Sequence, residues 1–275
     1  MGRAKYIIVK VIPSKIANEF VKKHHYSGKV VNGSDLHFGC FLDNKLHGVM
    51  SYGNPLDRSK VINLVESDNK TIHTKWNEFR ELNRMAFDEF LPKYSESRCI
   101  AISIKLIKKN APHIKWLLSF SDSTQCGDGT IYRASGFYLT AIKINNQLMI
   151  MPDGKICHKI VFADGNTGAV NDKLKYNKPK GKPEGQWLKE IGATPIIGHQ
   201  LRYIYLIDKS CKITVPILPF SKIDEMGAGM YKGKKITLAE RQITGAGSVT
   251  AAQQATSLQE GFESTSALKN TDNAI

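Results

Sequence analysis

The sequence predicts an α/β fold of the α+β kind, in which a central mixed, twisted sheet is flanked by helices and followed by a C-terminal extension. Apolar runs of strand length alternate along the chain with segments whose apolar residues recur at helical spacing. The run HIKWLLSFSDS at residues 113–123 is apolar through its middle, as expected of a strand that is buried on both faces. With 275 residues, of which 41% are apolar, we expect one domain with additions.

The first elements follow from an apolar run, a cap and a turn signal. Residues 5–12 (KYIIVKVI) form a continuous apolar run typical of a strand. Ser14 is predicted to cap a helix that ends near residues 25–26. Alternating residues on either side of Asn44-Lys45 then indicate a β-hairpin.

The middle of the chain is predicted to continue with a strand and a helix. Residues 54–75 are polar and are predicted to be an insertion. A strand at residues 79–87 gives way at Leu91-Pro92 to a polar break, and a helix is predicted over residues 97–109.

The second half is predicted to alternate strands with short helices. In order, these are a strand at 113–123, a helix at 129–137 that Gly136 ends, a strand at 137–144, a hairpin turning at Asp153-Gly154, a helix at 187–192 and a strand at 196–207. We expect residues 1–145 to form the core and residues 146–235 to complete the fold. Gly, Ser, Thr, Ala and Gln dominate the end of the chain, so residues 236–275 are predicted to be a disordered, low-complexity tail.

The charge of the chain is strongly positive and unevenly distributed. The net charge is +14, and residues 236–275 carry −2, so the preceding residues carry +16. A body this basic attracts polyanions, and such binding weakens steeply as salt is added. Nucleic acid is therefore a candidate partner, and a solvated basic surface is the alternative.

A lysine-rich loop at about 171–185 is the densest basic segment. It contains no acid over the ten residues that hold its lysines, and Tyr176, Pro179 and Pro183 interrupt or flank them. We predict an exposed loop that contacts DNA phosphates, against the alternative of a solvated loop. The predicted DNA-binding residues are Lys173, Lys175, Lys178, Lys180 and Lys182.

The cysteines and the apolar runs indicate the cellular compartment of the protein. Five cysteines, at positions 40, 99, 126, 157 and 211, suggest neither a disulfide framework nor a CxxC zinc site. No signal peptide and no long apolar run is evident in the sequence, so we expect a cytoplasmic protein without a membrane partner.

Residues 79–143 contain the features that point to a site. The polar break opens a helix directly after a strand, so unpaired backbone N–H groups face any anion bound there. The strand that ends at Asp122 is followed by a Gly-rich loop, which places an acid close to that anion site. The segment therefore predicts a cofactor site and a reaction site side by side.

The order of the predicted elements resembles the fold of the GCN5-related N-acetyltransferases (GNAT). Those enzymes hold the pyrophosphate of acetyl-CoA on backbone N–H groups between the fourth strand and the next helix, usually in an Arg/Gln-x-x-Gly-x-Gly/Ala loop. Here the corresponding residues 92–98 (PKYSESR) contain no glycine. This departure argues against an ordinary acetyl transfer.

Specific phrases resemble the Mom family of bacteriophage DNA modification proteins over about residues 20–143. They are HHYSGKVVNGSDLHFG (24–39), ELNRMAF (81–87), LPKYSES (91–97) and KWLLSFSDSTQCGDGTIYRASGF (115–137). The resemblance implies a divergent acetyltransferase fold with residues 1–145 as its catalytic core. It also implies conversion of adenine N6 in DNA to a carbamoylmethyl (methylcarbamoyl) group, which protects phage DNA from host restriction.

The family's functional positions transfer to residues of this chain. Arg84 and Ser97 match positions associated with acyl-CoA binding, and Ser95 and Arg98 are the loop neighbours that we add to this set. Tyr26, Asp122 and Tyr132 match positions associated with catalysis. The chemistry suits these types, because a tyrosine hydroxyl can donate a proton and a strand-end aspartate can accept one.

Each of these candidates has a purely structural alternative. Tyr26 could close the first helix, and Asp122 could only form a turn. Ser97 could be a helix N-cap, which is compatible with phosphate binding, and Tyr132 could be a core residue.

A metal site is a further candidate. His25 with Tyr26 and Asp122, beside His24, could assemble an iron site with nitrogen and oxygen ligands. Adjacent histidines point apart on a helix, so both binding one ion is doubtful. His37 and His158 alternate with apolar strand residues and are expected to be structural.

The sequence thus predicts a transferase of the phage type, acting in the cytoplasm of an infected or lysogenic bacterial host. Its expected partners are double-stranded DNA and acetyl-CoA or a related acyl-CoA, with iron as the other cofactor considered. Two alternatives remain open: an ordinary N-acetyltransferase that acts on a small amine or protein, and a non-catalytic DNA-binding protein.

Overall fold

The structure is a computed structural model that describes residues 3–67, 72–162, 176, 178–231, 234–237 and 240. In chain order its strands are β1 (Ile8–Val11), β2 (Ser34–Leu42), β3 (Lys45–Gly53), β4 (Val65–Ser67), β5 (Ile72–His73), β6 (Phe79–Phe87), β7 (Trp116–Asp122), β8 (Tyr138–Ile150), β9 (Ile156–His158), β10 (Thr194–Leu206), β11 (Lys212–Ile213), β12 (Met230–Tyr231) and β13 (Lys234–Lys235). Its helices are α1 (Ser14–His24), α2 (Ser95–Asn110), α3 (Ser123–Cys126), α4 (Thr130–Ala134), α5 (Glu184–Glu190) and α6 (Ser221–Glu225). None of the helices in this part of the chain is both long and apolar enough to span a membrane.

Eight strands form one mixed sheet in the order β1-β2-β3-β6-β7-β10-β8-β9. Strands β6 and β7 run parallel, and every other neighbouring pair in this sheet is antiparallel. The predicted mixed α+β fold, a sheet flanked by helices, is therefore confirmed. Strand β10 enters between β7 and β8, although it follows both of them in the sequence.

Both faces of the sheet are covered. On one face, α2 and α4 pack their apolar residues against Leu82, Leu117 and Leu201. On the other face, α1 covers Val49 and Ala86. The segment predicted as a polar insertion covers the rest of that second face, because its Val61, Leu64 and Val65 pack against Trp116, Leu118 and Ile204. It is therefore part of the core.

The parallel pair β6 and β7 separates partway along its length. Phe79 to Leu82 lie opposite Trp116 to Ser119, and no pairing between the two strands continues beyond that point in either of them. The hydroxyl of Ser119 donates to the carbonyl of Leu82 at 3.1 Å, at the last paired position. Residues 83–87 and 120–122 therefore face a gap in the sheet. Because α2 follows β6 in the chain, the start of α2 lies at the same sheet edge as this gap.

Several predicted boundaries and caps were wrong. Pro13 is the N-cap of α1 and provides no side-chain bond, so Ser14 is the first helical residue. The hairpin turns at Asp43 and Asn44, which have φ values of 50° and 60°, instead of at Asn44-Lys45. Because Tyr94 takes a left-handed conformation with φ 67° and caps α2, that helix begins at Ser95 and Ser97 is not its N-cap.

The second half also differs from prediction in two elements. The strand predicted to end at residue 144 continues to Ile150 because β10 pairs with it along nearly its whole length, with a register shift near Gly198. The Gly-rich loop after Asp122 begins with the short helix α3. The predicted tail lies outside the described residues except for positions 236, 237 and 240.

Candidate active site

A cavity opens at the gap between β6 and β7. Its lining includes Tyr26 from the end of α1, Asp122 from the end of β7 and Tyr132 from α4. Arg84 of β6 and His25 line the same cavity. The three residues predicted to be catalytic therefore meet in space, although more than 100 residues separate Tyr26 from Tyr132. We call this space the first cavity.

Asp122 is the acid of the first cavity. One carboxylate oxygen accepts the backbone N–H of Thr124 at 3.1 Å, so Asp122 caps α3. Burial raises the pKa of this carboxyl above its ordinary value, and the bonds from Thr124 oppose that rise. The turn-forming alternative is therefore real, but it is compatible with a role in the cavity, because a second carboxylate oxygen remains for other groups.

Tyr132 is held rigidly by a packed aromatic cluster. Its ring lies 5.4 Å from Phe137 and 5.1 Å from Tyr203, measured between ring centroids, and the residue is buried. Gly129 is the N-cap of α4 with φ +71°, and a Cβ there would lie 2.7 Å from the Tyr203 ring. Glycine is thus required where α4 approaches β10. Tyr132 is both a core residue and part of the cavity lining.

His25 and Tyr26 form the opposite wall. The backbone N–H of Ser27 donates to His25 Nδ1 at 3.2 Å, and the hydroxyl of Ser27 lies 2.8 Å from the same nitrogen. Burial, together with the nearby charge of Arg84, lowers the pKa of His25 to about 3. The imidazole is therefore neutral near pH 7. The Tyr26 ring contacts the His25 ring at a tilt of 33°, with ring centroids 4.3 Å apart, and Tyr26 is 59% exposed.

The predicted iron site is not supported by this geometry. The described residues contain no group of three or more His, Cys, Asp and Glu side chains that could hold a metal ion. His25 Nδ1 is occupied by Ser27, and His24 turns away to stack on Phe20 at 4.3 Å. The local reason is that consecutive residues at the end of a helix point in different directions.

Arg84 lies at the boundary of the first cavity. Its Nε donates to the carbonyl of Lys29 at 2.8 Å and its Nη1 donates to the carbonyl of Asn83 at 2.6 Å. These bonds fix the guanidinium where β6 has left β7. Arg84 therefore lies beside the candidate reaction site. A residue that binds a distant cofactor phosphate would not need to lie so close to it.

The other residues predicted to bind the cofactor lie at the start of α2. Ser97 Oγ donates to the carbonyl of Tyr94 at 3.2 Å, and Ser95 Oγ donates to that of Pro92. Arg98 is exposed and donates to the carbonyl of Lys5 at 3.2 Å. None of these three residues lines either of the two cavities described here. The structure thus separates Arg84 from the rest of its predicted set.

A second, larger cavity of about 690 Å³ adjoins the first and was not predicted from the sequence. Both cavities are lined by Asn83, Arg84 and Phe120. The lining of the second cavity also includes Leu56, Arg58, Lys60, Glu81, Lys143, Gln200 and Arg202. A signal for it exists in the sequence, since Glu81 and Arg202 are charged residues within predicted strands.

The structure describes only part of the lysine loop. Lys173 and Lys175 lie outside the described residues. Lys178 Nζ donates to the carbonyl of Lys182 at 2.7 Å, and the side chain of Lys182 pairs with Glu190 of α5. Lys180 is exposed. Part of the positive charge of this loop is therefore neutralised from a neighbouring helix.

The comparison with known proteins decides the family. Residues 6–222 match the Mom protein family. The chain belongs to this family. A curated Mom relative, methylcarbamoylase Mom of Escherichia phage Mu, is 36% identical over 215 residues and covers 76% of this chain and 79% of its own length. The predicted family is thus confirmed, and with it the prediction of a transferase.

Solved structures that resemble this Mom chain are acetyltransferases. An IAA acetyltransferase of Bacillus cereus is 10% identical with a TM-score of 0.40, and the match covers 73% of this chain and 99% of that one. A ribosomal-protein-S18-alanine N-acetyltransferase of Escherichia coli is 10% identical with a TM-score of 0.40, and the match covers 74% and 94% of the two chains. Likeness this distant says nothing about the chemistry of the site.

Proposed function

We propose that this Mom-family chain converts adenine N6 in duplex DNA to its carbamoylmethyl form with a unit derived from acetyl-CoA, and so protects phage DNA from restriction. The observation that carries the proposal is the first cavity, which gathers Tyr26, Asp122 and Tyr132 from three separate elements. The name of the phage Mu relative, methylcarbamoylase, supports the type of group transferred.

Asp122 is the proposed general base. The N6 lone pair is delocalised into the adenine ring, so N6 is a poor nucleophile until its proton is removed or its attack is enforced by positioning. The bond from N6 to the activated carbon forms as the bond between that carbon and its leaving group breaks, and the carboxylate of Asp122 accepts the proton that N6 loses. The cap bond from Thr124 fixes the carboxylate for this transfer.

Tyr26, Tyr132 and His25 are the proposed donors that surround the transferring group. The exposed ring of Tyr26 can reach a ligand that enters from solvent, whereas Tyr132 is fixed by its aromatic neighbours. In the tautomer whose Nδ1 accepts the Ser27 N–H, neutral His25 can donate one hydrogen bond from Nε2 without carrying charge. These hydroxyl and imidazole donors would orient a carbonyl and stabilise negative charge that develops on it.

The parted strands fit an acyl-CoA. When bound, this cofactor supplies the activated carbon unit. Its linear arm contains amide groups, and along residues 83–87 and 120–122 no ladder hydrogen bonds join β6 to β7, so an extended arm can lie between the two strands. The start of α2 provides further backbone donors at the same sheet edge, where Ser97 and Arg98 can meet phosphates. The absence of glycine there is offset by the left-handed Tyr94.

The substrate adenine must leave the DNA stack to be modified. Its N6 is engaged in base pairing, and only one edge of it is open in the major groove. A base that reaches Asp122 inside the sheet gap therefore has to be flipped out of the duplex.

The direct test is mass spectrometry of nucleosides from the DNA of cells that express the chain. We expect a deoxyadenosine that is heavier by one carbamoylmethyl group, together with resistance of that DNA to restriction enzymes. If the chain were an ordinary N-acetyltransferase, DNA would be unchanged and an acetylated amine or protein would appear instead. Unmodified adenine in the presence of well-folded, abundant protein contradicts the proposal.

Arg84 lines the gap in which we place the arm of the acyl-CoA, so we predict that its replacement by Lys weakens acetyl-CoA binding by roughly 10–100-fold, the cost of losing one or two charged hydrogen bonds to the cofactor. Lysine keeps the charge but cannot span the two carbonyls that hold the guanidinium. Isothermal titration with acetyl-CoA provides the measurement. The matched control is Arg80→Lys on the same strand, where the guanidinium pairs with Asp35 at 3.4 Å. Equal effects of the two substitutions would contradict a role for Arg84 in binding.

For the lysine loop we predict that replacing Lys175, Lys178 and Lys180 together by Ala weakens DNA binding and flattens its salt dependence. Each phosphate that the loop no longer neutralises lowers the logarithmic salt slope by about 0.9. Binding isotherms at several salt concentrations measure it, with Lys105, Lys108 and Lys109 of α2 replaced by Ala as the control of equal charge. An unchanged slope means that the loop faces away from DNA.

A further inference from the structure

The floor of the second cavity is continuous with the candidate reaction site. In the sheet register, Asp122 of β7 lies opposite Gln200 of β10, which lies opposite Lys143 of β8. The next row in the same direction runs from Phe120 through Arg202 to Ala141. Side chains that share a row lie on the same face of a sheet. The cavity floor therefore leads directly from Asp122 to a basic region.

Arg202 is a cation of this floor that has no carboxylate partner among the described residues. Arg202 is half-buried, and its guanidinium donates to the hydroxyl of Thr140 at 3.0 Å and to the carbonyl of Thr140 at 3.2 Å. Among the described residues, no carboxylate lies within ion-pair distance of Arg202. A half-buried guanidinium without a carboxylate partner is suited to bind an anion from outside the chain. Arg58 and Lys143 add positive charge around the same cavity, whereas Lys60 pairs with Asp57 at 2.8 Å.

The cavity also offers groups suited to the edge and face of a base. Phe120 provides an aromatic face, and the amides of Asn83 and Gln200 can donate and accept hydrogen bonds. Burial raises the pKa of Glu81 to about 7, although the charge of Arg84 opposes the rise. Near neutral pH a fraction of Glu81 is therefore protonated and can donate a hydrogen bond to a ring nitrogen.

We propose that the second cavity receives the acceptor nucleotide of DNA, with the adenine above Phe120 and its phosphates on Arg202, Lys143 and Arg58. This inference rests on the proposed function and names the pocket that serves it. Its volume of about 690 Å³ lies within the range of roughly 300–1,000 Å³ that is typical of small-molecule sites. In this position N6 points along the floor toward Asp122.

An exposed leucine at the rim of the second cavity is consistent with a duplex substrate. Leu56 is fully exposed, with 102% of its reference area open to solvent, and it lies two residues before Arg58. An apolar side chain held in water beside basic groups is suited to enter a base stack, as the wedges of DNA-bending proteins do. Leu56 would fill the space that the flipped adenine leaves.

An adenine nucleotide also occurs in CoA, so the same chemistry has two sources. The cavity lies on the sheet face that the segment 54–67 covers, whereas α2 packs on the opposite face. Its floor leads to the candidate base of the reaction, which is where an acceptor has to arrive. These two observations favour the DNA nucleotide over the nucleotide of CoA.

The test compares binding of three probes to the full chain: a fluorescent oligodeoxyadenylate strand, its duplex with oligothymidylate, and CoA. We expect Lys143→Glu to weaken binding of the strand by about tenfold or more and to flatten its salt slope by about 1, while CoA affinity stays unchanged. Arg58→Ala should also weaken binding of the oligodeoxyadenylate strand, but by less. Lys105→Glu, the same charge change at an exposed site of α2, should leave the affinity within about twofold.

Leu56→Ala separates flipping from binding. We expect it to leave the affinity for the single strand unchanged and to lower the affinity for the duplex by roughly 5–10-fold, because a wedge offsets part of the cost of unstacking. Equal effects of Lys143→Glu and Lys105→Glu on the strand overturn the proposal. Weaker CoA binding with unchanged DNA binding assigns the cavity to CoA and also overturns it. If Lys143→Glu acts as expected but cells contain no modified adenine, the second cavity binds DNA as proposed and the proposed reaction is wrong.

Discussion

Replacing Asp122 by Asn is expected to reduce adenine modification by about 10²–10⁴-fold, the usual contribution of a general base. The amide retains an oxygen that can accept the Thr124 N–H, and Asn is as good an N-cap as Asp, so α3 should persist. The loss would therefore come from the missing carboxylate and not from a changed backbone. Mass spectrometry of nucleosides measures the modified fraction, and thermal unfolding confirms that the fold is intact.

The matched control is Asp153→Asn. Asp153 accepts the backbone N–H of Lys155 at 3.1 Å in the turn between β8 and β9, which is the same local use of an aspartate. It lines neither cavity. We expect full modification from this variant and retained DNA binding from both. Loss of DNA binding in Asp122→Asn, or modification at the level of the unsubstituted chain, contradicts a role for Asp122 as base.

The pH dependence provides a second measurement of the same group. Because burial raises the pKa of Asp122, its carboxyl gains a proton at a higher pH than an exposed aspartate would. A general base acts only when deprotonated, so the rate should fall on acidification through this raised pKa. The residual rate of Asp122→Asn should lack that fall. Neutral His25, whose pKa is about 3, adds no ionisation of its own near pH 7.

The sequence predicts local structure well where pattern and length are unambiguous. Strand β6 occupies the predicted residues 79–87, and α1 ends at His24, next to the predicted end at residues 25–26. The predicted bounds of a helix are wrong where one residue adopts an unusual backbone conformation. Tyr94 is the clearest case, because a left-handed tyrosine has no signature in composition and it moves the start of α2 by two residues.

The sequence likewise predicts one part of the candidate site and not the other. Tyr26, Asp122 and Tyr132 are predicted from the family resemblance. They line one cavity because β6 and β7 separate, which no local pattern in the sequence indicates. The second cavity was missed because its floor depends on β10 entering between β7 and β8. Only this non-sequential pairing places Gln200 between Asp122 and Lys143. Long-range register of this kind is not encoded in local periodicity.

Replacing Gly198 by Ala is expected to destabilise the fold and to impair the site together. A Cβ at this position would lie 1.7 Å from Thr124 Oγ1 and 2.7 Å from Thr124 Cβ, so β10 and α3 would have to separate. Ser123 Oγ also binds the carbonyl of His199 at 2.8 Å, which ties α3 to the same strand. Overpacking of this kind costs roughly 1–3 kcal/mol. For a chain of this size we expect a fall in Tm of about 2–4 °C per kcal/mol.

The loss of function should exceed what this loss of stability explains. Thr124 donates the bond that orients Asp122, so its displacement moves the candidate base even in molecules that remain folded. Thr124→Ala removes the nearest clashing atom and should restore part of the Tm of Gly198→Ala, measured as a double-mutant cycle by thermal unfolding. Gly185→Ala is the control, because nothing lies within 4 Å of a Cβ there and alanine favours helix α5 by about 1 kcal/mol. If Gly198→Ala were as stable and active as Gly185→Ala, the close contact between β10 and α3 would not be what positions Asp122.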